Sequence, residues 1–176
     1  SGVYKHFEQI AKSTYLPIIL YNVPTRTASE IATETVIELA QIDNIHAIKD
    51  ADTSPKRLAA MKEKVPETFS FLSGDDATAE SYIKQGGHGV ISVVSNIKPR
   101  EMKSLVDKCL NEKFCHDTWA QLLPFIDACS VESNPAAVKW LLSVDGFGTG
   151  TCRLPVCHLS RGAVEKIQSM ISIRTA

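Results

Sequence analysis

Short apolar runs alternate with amphipathic stretches through the first half of the chain. Runs rich in β-branched and aromatic residues predict four strands, at residues 16–23, 45–50, 69–74 and 88–95. The stretches that separate them show helical character, at residues 29–42, 54–65 and 75–87. Ser29 is expected to cap the first of these helices. The alternation predicts an α/β fold in which right-handed βαβ units build a parallel sheet.

The second half of the chain follows a different pattern. Beyond Ser95 only helical segments are found, at residues 98–113, 115–129, 134–144 and 160–171. The predicted organisation is therefore residues 1–95 as four βα units of a partial barrel domain and residues 96–176 as C-terminal helices. By periodicity alone, four parallel strands fit either a small open sheet or half of an eight-stranded barrel.

Candidate functional residues lie where the predicted strands end. Tyr21, Lys49, Gly74 and Ile91 fall in order along one edge of the sheet, where α/β barrels place their active-site groups. Lys49 shares a strand face with apolar residues. Burying an amine on such a face costs free energy, so we expect it to have a binding partner or a chemical role. Taken alone, Lys49 is better interpreted as a solvent-directed lysine paired with Asp50 or Asp52, and Tyr21 as a core tyrosine. The four strand ends together favour a functional site.

Composition and charge narrow the class of protein. Hydrophobic residues make up 44% and charged residues 22% of the chain, which is typical of soluble globular proteins. The net charge of −1 provides neither the basic surface that binds nucleic acid nor a polybasic membrane patch. The apolar runs are too short to cross a bilayer and no signal peptide opens the chain, so we expect a cytoplasmic protein. Five cysteines without paired C-x-x-C spacing are expected to be thiols rather than metal ligands.

Five motifs carry a resemblance to a known family; they are "YNVPTRT", "IKDAD", "LSGDDA", "GGHGVISV" and "ESNPAAVKW". Through them the chain resembles the dihydrodipicolinate synthases, pyruvate-dependent class I aldolases of the N-acetylneuraminate lyase superfamily. The resemblance implies a TIM barrel followed by a C-terminal helical domain. It also implies condensation of pyruvate with L-aspartate semialdehyde to 4-hydroxy-tetrahydrodipicolinate, in the diaminopimelate route to lysine.

The same resemblance implies a role for individual residues. Lys49 matches the lysine that forms a Schiff base with pyruvate, and Tyr21 matches the tyrosine that relays protons. Arg26 matches the arginine that holds the carboxylate of L-aspartate semialdehyde. Ile91 matches the position whose backbone carbonyl meets pyruvate, and Gly74 lines the same pocket.

These residue types suit the implied chemistry. A lysine amine attacks a ketone only in its neutral form, which burial inside a barrel favours over the ammonium ion. A phenol can shuttle protons, and a planar guanidinium binds a carboxylate through two parallel hydrogen bonds. The chemistry requires no metal and no organic cofactor.

The number of strands raises the question of completeness. A (β/α)₈ barrel takes about 250 residues, whereas the four predicted strands match only the C-terminal half of one. Half a barrel leaves edge strands with unpaired backbone groups. We therefore expect the chain to need a partner half for catalysis and to be a fragment or one part of an assembly. Relatives are commonly tetramers, so a homo-oligomer is expected.

Two alternatives to the synthase remain. One is another pyruvate-dependent lyase of the superfamily, similar to N-acetylneuraminate lyase. The other is a truncated, non-catalytic chain that acts as a binding or assembly partner. Arg26 favours the synthase over the first alternative, because it suits a small acidic aldehyde.

Overall fold

The sheet contains four parallel strands in the order β1-β2-β3-β4. The computed structural model describes residues 1–52, 54–111, 113 and 115–171. Its strands are β1 (Ile18–Asn22), β2 (Ile45–Asp50), β3 (Ser70–Ser73) and β4 (Gly89–Val90). Parallel pairing with strand order equal to chain order is what consecutive βαβ units produce. The predicted α/β class with four parallel strands is confirmed.

α-Helices lie between the strands and also follow β4 in the described part of the chain. They are α1 (Gly2–Lys12), α2 (Pro24–Thr27), α3 (Thr33–Leu39), α4 (Pro55–Lys62), α5 (Ala79–Lys84), α6 (Pro99–Leu110), α7 (His116–Cys129), α8 (Ala136–Val144) and α9 (Arg161–Met170). The chain divides into two compact units, Ser1–Ile91 and Ser92–Ala176. The first unit therefore contains the sheet with α1 to α5, and the second contains α6 to α9.

One face of the sheet forms the core of the first unit. Leu20, Ile48 and Phe71 lie side by side on neighbouring strands, and none is more than 2% exposed. They belong to one buried cluster with Leu39 of α3 and Met61 of α4. Burying a side chain of this size contributes about 1.5–3 kcal/mol, so this face attaches the helices to the sheet.

The opposite face of the sheet is open at β1. Ile19 is 48% exposed and Tyr21 45% exposed, although both belong to a strand whose alternate residues, Leu20 and Asn22, are buried. Lys49 of β2 projects from the same face, since it lies opposite Tyr21 in the strand register. This open face carries the residues that the sequence singled out.

Helix α3 begins later than the sequence predicts. The N-cap of α3 is Ala32, so the prediction that Ser29 caps this helix is wrong. The amide of Ile31 donates a 3.0 Å hydrogen bond to Oδ1 of Asn22, and Ala28 adopts a left-handed φ of 52°. These two features hold residues 28–31 in a non-helical path.

The last strand is shorter than the predicted run at residues 88–95, because β4 comprises two residues. The ladder continues for one more bond, from the amide of Ile91 to the carbonyl of Ser73 at 3.0 Å. Beyond it, Oγ of Ser92 accepts the amide of Ser95 at 2.8 Å. This side chain to backbone bond closes a turn, which ends the extended conformation.

The second unit is built from helices packed on α7. Leu122 and Ile126 of α7 are buried, as are Leu105 of α6 and Ile167 of α9. Each of the four helical segments predicted beyond residue 95 forms a helix. Among the residues that the structure describes, no helix has the length and apolar character needed to cross a bilayer.

Candidate functional site

Tyr21 and Lys49 are direct neighbours across β1 and β2, and we call them the phenol–amine pair. The Nζ of Lys49 lies 4.0 Å from the centroid of the Tyr21 ring, within the range of a cation–π contact. Lys49 is half-buried and forms no ion pair with any described residue. The interpretation of Lys49 as a lysine paired with Asp50 or Asp52 is therefore wrong.

Gly74 and Ile91 directly follow β3 and β4. The amide of Gly74 donates a 2.7 Å hydrogen bond to the carbonyl of Asp50, the residue after Lys49. Ile91 is 40% exposed, and its amide extends the ladder between β3 and β4. The structure thus places Gly74 and Ile91 at the sheet edge that also holds the phenol–amine pair.

A methyl group at Gly74 would collide with the end of β2. A Cβ built there lies 3.0 Å from the amide nitrogen of Ala51 and 3.1 Å from the carbonyl carbon of Asp50. Both are backbone atoms, so relief requires the strands to separate. We expect Gly74→Ala to destabilise the chain by about 1–3 kcal/mol in urea unfolding. Gly2→Ala is the control, because a Cβ there meets nothing within 4 Å; equal midpoints for the two variants would contradict the prediction.

Arg26 lies on α2, outside the strands that carry the phenol–amine pair. It belongs to the short helix α2 that directly follows β1, where Pro24 occupies the first helical position. Its side chain is exposed and makes no hydrogen bond or ion pair with the residues described. The guanidinium donors are therefore open to a ligand carboxylate, but the structure shows no contact between Arg26 and either member of the pair.

A buried polar cluster lies behind the phenol–amine pair, and the sequence did not predict it. Asn22 and Asp50 follow Tyr21 and Lys49 by one residue, so their side chains point to the opposite, buried face. Nδ2 of Asn22 donates a 2.8 Å hydrogen bond to Oδ1 of Asp50. Oδ2 of Asp50 accepts a 2.8 Å hydrogen bond from Nε of Arg57 on α4. We call Asn22, Asp50 and Arg57 the Asp50 cluster; polar residues at two adjacent strand ends were the signal available in the sequence.

Arg57 joins the Asp50 cluster to the segment that follows α2. Its Nη1 donates to Oε1 of Glu30 at 3.0 Å and to Oγ1 of Thr33 at 3.1 Å. Its Nη2 donates to the carbonyl of Ile31 at 2.7 Å. Arg57 is 7% exposed and Asp50 is completely buried, so each charge depends on the other for compensation. These bonds tie the ends of β1 and β2 together directly beneath the phenol–amine pair.

Tyr82 of α5 is a buried phenol near the Asp50 cluster. It is 1% exposed, and its hydroxyl has no hydrogen-bond partner among the described residues. Burial raises the pKa of the Tyr82 phenol well above its usual range. The negative charges of Asp50 and Asp52 raise this pKa further, while Arg57 lowers it in part.

Tyr82→Phe is expected to reduce the loss of stability at alkaline pH. The phenol in the unfolded chain ionises near pH 10, whereas folded Tyr82 keeps its proton above that pH. The free energy of unfolding is therefore unaffected by this phenol below about pH 10. Above that pH it falls by about 1.4 kcal/mol per pH unit, because the unfolded chain releases a proton that the folded chain keeps. Urea unfolding at a series of pH values around 10 measures this slope.

The control for this prediction is Tyr15→Phe, because the Tyr15 side chain is fully exposed. Tyr15→Phe should keep the alkaline slope of the unaltered chain. An unchanged slope in Tyr82→Phe would contradict the prediction.

The chain matches one protein family over almost its whole length. Residues 1–174 match the sequence model of the Dihydrodipicolinate synthetase family. A 4-hydroxy-tetrahydrodipicolinate synthase of Idiomarina loihiensis is 39% identical over 173 residues, which cover 97% of this chain and 58% of that protein.

Solved structures show the same similarity in three dimensions. Dihydrodipicolinate synthase from Aquifex aeolicus is 33% identical, with a TM-score of 0.93 over 97% of this chain and 59% of that one. The 4-hydroxy-tetrahydrodipicolinate synthase of Methylacidiphilum fumariolicum is 38% identical, with a TM-score of 0.92 over 97% of this chain and 58% of that one. The chain therefore spans less than two thirds of the length of these relatives.

Proposed function

Because the chain belongs to the dihydrodipicolinate synthetase family, we propose that it carries the Schiff-base lysine of a pyruvate-dependent lyase. The proposed reaction condenses pyruvate with L-aspartate semialdehyde to 4-hydroxy-tetrahydrodipicolinate, a step of lysine synthesis through diaminopimelate. The observation that supports it most directly is the amine of Lys49, which lies 4.0 Å from the Tyr21 ring centroid at the carboxyl ends of parallel strands.

Lys49 is the proposed nucleophile. Its neutral amine attacks the ketone carbon of pyruvate, and loss of water leaves an iminium ion. The iminium withdraws electrons from C3, which loses a proton, and the resulting enamine carbon attacks the aldehyde of the second substrate. The amino group of that substrate then attacks the iminium carbon and displaces the lysine, which restores the free amine. Tyr21, next to the amine, supplies and removes the protons that these steps require.

Three further residues are proposed to hold the substrates. Arg26 binds the carboxylate of L-aspartate semialdehyde, since its planar guanidinium is exposed and unpaired among the described residues. The backbone carbonyl of Ile91 meets pyruvate, and Gly74 lines the same pocket. The hydrogen bond from the amide of Gly74 to the carbonyl of Asp50, the residue after Lys49, supports this role of Gly74.

The four strands are proposed to be the C-terminal half of an eight-stranded barrel, followed by a C-terminal helical domain. The open face at Ile19 and Tyr21 supports this proposal, because a closed barrel would cover it. Closure would also remove water from Lys49 and favour its neutral amine. The cytoplasmic location and the homo-oligomeric state stay predictions.

Trapping pyruvate with sodium borohydride tests the proposed function. The reductant converts an imine at Lys49 into a stable secondary amine, which blocks tryptic cleavage there. The modified lysine should therefore appear in a peptide of residues 27–56.

The experiment uses the chain alone and the chain co-produced with the part of the Idiomarina loihiensis synthase that it does not match. Condensation activity is expected only in the second preparation. Without an adduct in either preparation, the chain would be a non-catalytic partner; full activity of the lone chain would refute the half-barrel proposal.

Substrate choice distinguishes the synthase from a related lyase. The active preparation should turn over L-aspartate semialdehyde with pyruvate and should not cleave N-acetylneuraminate. Cleavage of the sugar acid with no condensation of the semialdehyde would favour the other branch of the superfamily.

A further inference from the structure

Two buried thiols of the second unit lie close together. Cys109 is in the last turn of α6, and Cys115 directly precedes α7. Their sulfur atoms are 3.5 Å apart. Cys109 is 4% exposed and Cys115 is 1% exposed, and neither is part of a disulfide bond.

The end of α6 and the start of α7 bring these thiols together. The amide of Asn111 donates a 3.2 Å hydrogen bond to the carbonyl of Asp107, and the amide of Lys113 donates a 2.8 Å hydrogen bond to the carbonyl of Lys108. These two bonds lie at the C-terminal end of α6, next to Cys109. Leu110, directly after Cys109, is 49% exposed, and Lys113 is also exposed. Because both thiols are buried, their reaction with a small molecule requires local opening at the end of α6 or the start of α7, which costs less free energy than unfolding the whole unit.

We propose that Cys109 and Cys115 are a reversible thiol–disulfide site, which small-molecule disulfides such as glutathione disulfide oxidise. A disulfide bond has a sulfur–sulfur length of about 2.05 Å, so the two atoms need to approach by about 1.5 Å from their separation in the thiol form. The bond would link the end of α6 to the start of α7. This inference does not depend on the proposed catalytic function, because the two thiols belong to the other unit.

The oxidation balances with glutathione disulfide as the electron acceptor. The thiolate of one cysteine attacks the glutathione disulfide, which forms a mixed disulfide and releases one glutathione thiolate. The second cysteine thiolate then attacks the protein sulfur of the mixed disulfide and releases the second glutathione. The protein loses two electrons and two protons, and two molecules of reduced glutathione take them up. An excess of reduced glutathione drives the same steps in reverse.

The other cysteines provide internal controls. Cys157 is exposed and its thiol contacts only the carbonyl of Pro155 among the described contacts, at 3.8 Å. It is therefore positioned to form a mixed disulfide with glutathione. Cys109 and Cys115 differ from Cys157 in that their two sulfur atoms are 3.5 Å apart. Because Cys157 is exposed, we expect it to form a mixed disulfide with glutathione. Because Cys109 and Cys115 lie close together, we expect them to form a disulfide with each other.

Peptide mapping after equilibration in glutathione redox buffers tests the proposal. The folded 176-residue chain is equilibrated at several ratios of reduced to oxidised glutathione, quenched with N-ethylmaleimide and digested with trypsin. Trypsin cleaves after Lys108 and Lys113, so the internal disulfide joins the peptide of residues 109–113 to the peptide of residues 114–139. Cys129 lies in the second peptide, so the digest is repeated on Cys129→Ser.

The expected result is a linked pair of peptides whose fraction follows the glutathione ratio and is independent of protein concentration. Cys129→Ser and Cys157→Ser should retain the link, and Cys115→Ser should lose it. Should Cys115→Ser not fold, Cys115→Ala replaces it, and the map of the unaltered chain remains decisive. Unlinked Cys109 and Cys115 at ratios that modify Cys157 would overturn the proposal, as would a link through Cys129 or a link that grows with protein concentration.

Discussion

Lys49→Ala is expected to abolish the borohydride-trapped pyruvate adduct, leaving no modified peptide of residues 27–56. The imine carbon must bond to the amine nitrogen, and the strand register places only this amine beside the Tyr21 ring among the described residues. Lys49→Arg should also form no adduct, because a guanidinium keeps its charge and is not a nucleophile near neutral pH. Peptide mapping by mass spectrometry measures both variants in the preparation in which the unaltered chain forms the adduct.

Lys64→Ala is the matched control for this experiment. Lys64 is an exposed lysine of the same unit, so its loss should leave the yield of the adduct unchanged. An adduct that persists in Lys49→Ala at the yield of the unaltered chain would show that another amine reacts, and the proposed mechanism would be wrong.

Arg57→Met is expected to destabilise the chain by about 3–5 kcal/mol, because it leaves the carboxylate of Asp50 buried without its charge partner. The same change removes the hydrogen bonds from Arg57 to Ile31 and Thr33. The segment after α2 then loses its attachment to α4. Urea unfolding followed by circular dichroism measures the free energy of unfolding.

Two further variants show whether the buried charge is the cause. Arg161→Met removes an ion pair whose partners, Arg161 and Glu165, are 94% and 61% exposed, so it should cost about 0–1 kcal/mol. The double variant Asp50→Leu/Arg57→Met removes both buried charges and should be more stable than Arg57→Met. A cost for Arg57→Met no larger than that for Arg161→Met would contradict this account of the Asp50 cluster.

The parallel sheet and the approximate positions of its strands were readable from the sequence, although β4 is shorter than the run predicted for it. Strands that are apolar and rich in β-branched residues, separated by helical segments, have few alternatives to a parallel sheet. The predicted strand at residues 45–50 has the bounds of β2. Because side chains alternate and parallel strands end at one edge, Tyr21 and Lys49 were expected at the same edge, and the structure pairs them directly.

The partner of each charge could not be read from the sequence. Asp50 follows Lys49 directly, which suggested an ion pair between neighbours. A strand, however, directs adjacent side chains to opposite faces. Asp50 therefore meets Arg57 of α4 on the buried face, while Lys49 meets the Tyr21 ring on the open one. The start of α3 was misjudged for a related reason, because the amide of Ile31 bonds to Asn22, nine residues earlier.

The sequence by itself determined the class of fold, the family and the residue types at each strand end, because these follow from periodicity and local motifs. Only the tertiary structure decided which side chains meet. The contact of Asp50 with Arg57 depends on how α4 packs on the sheet. The contact of Cys109 with Cys115 depends on how α6 packs against α7. Such contacts arise from the packing of whole elements, and no local pattern of residues specifies them.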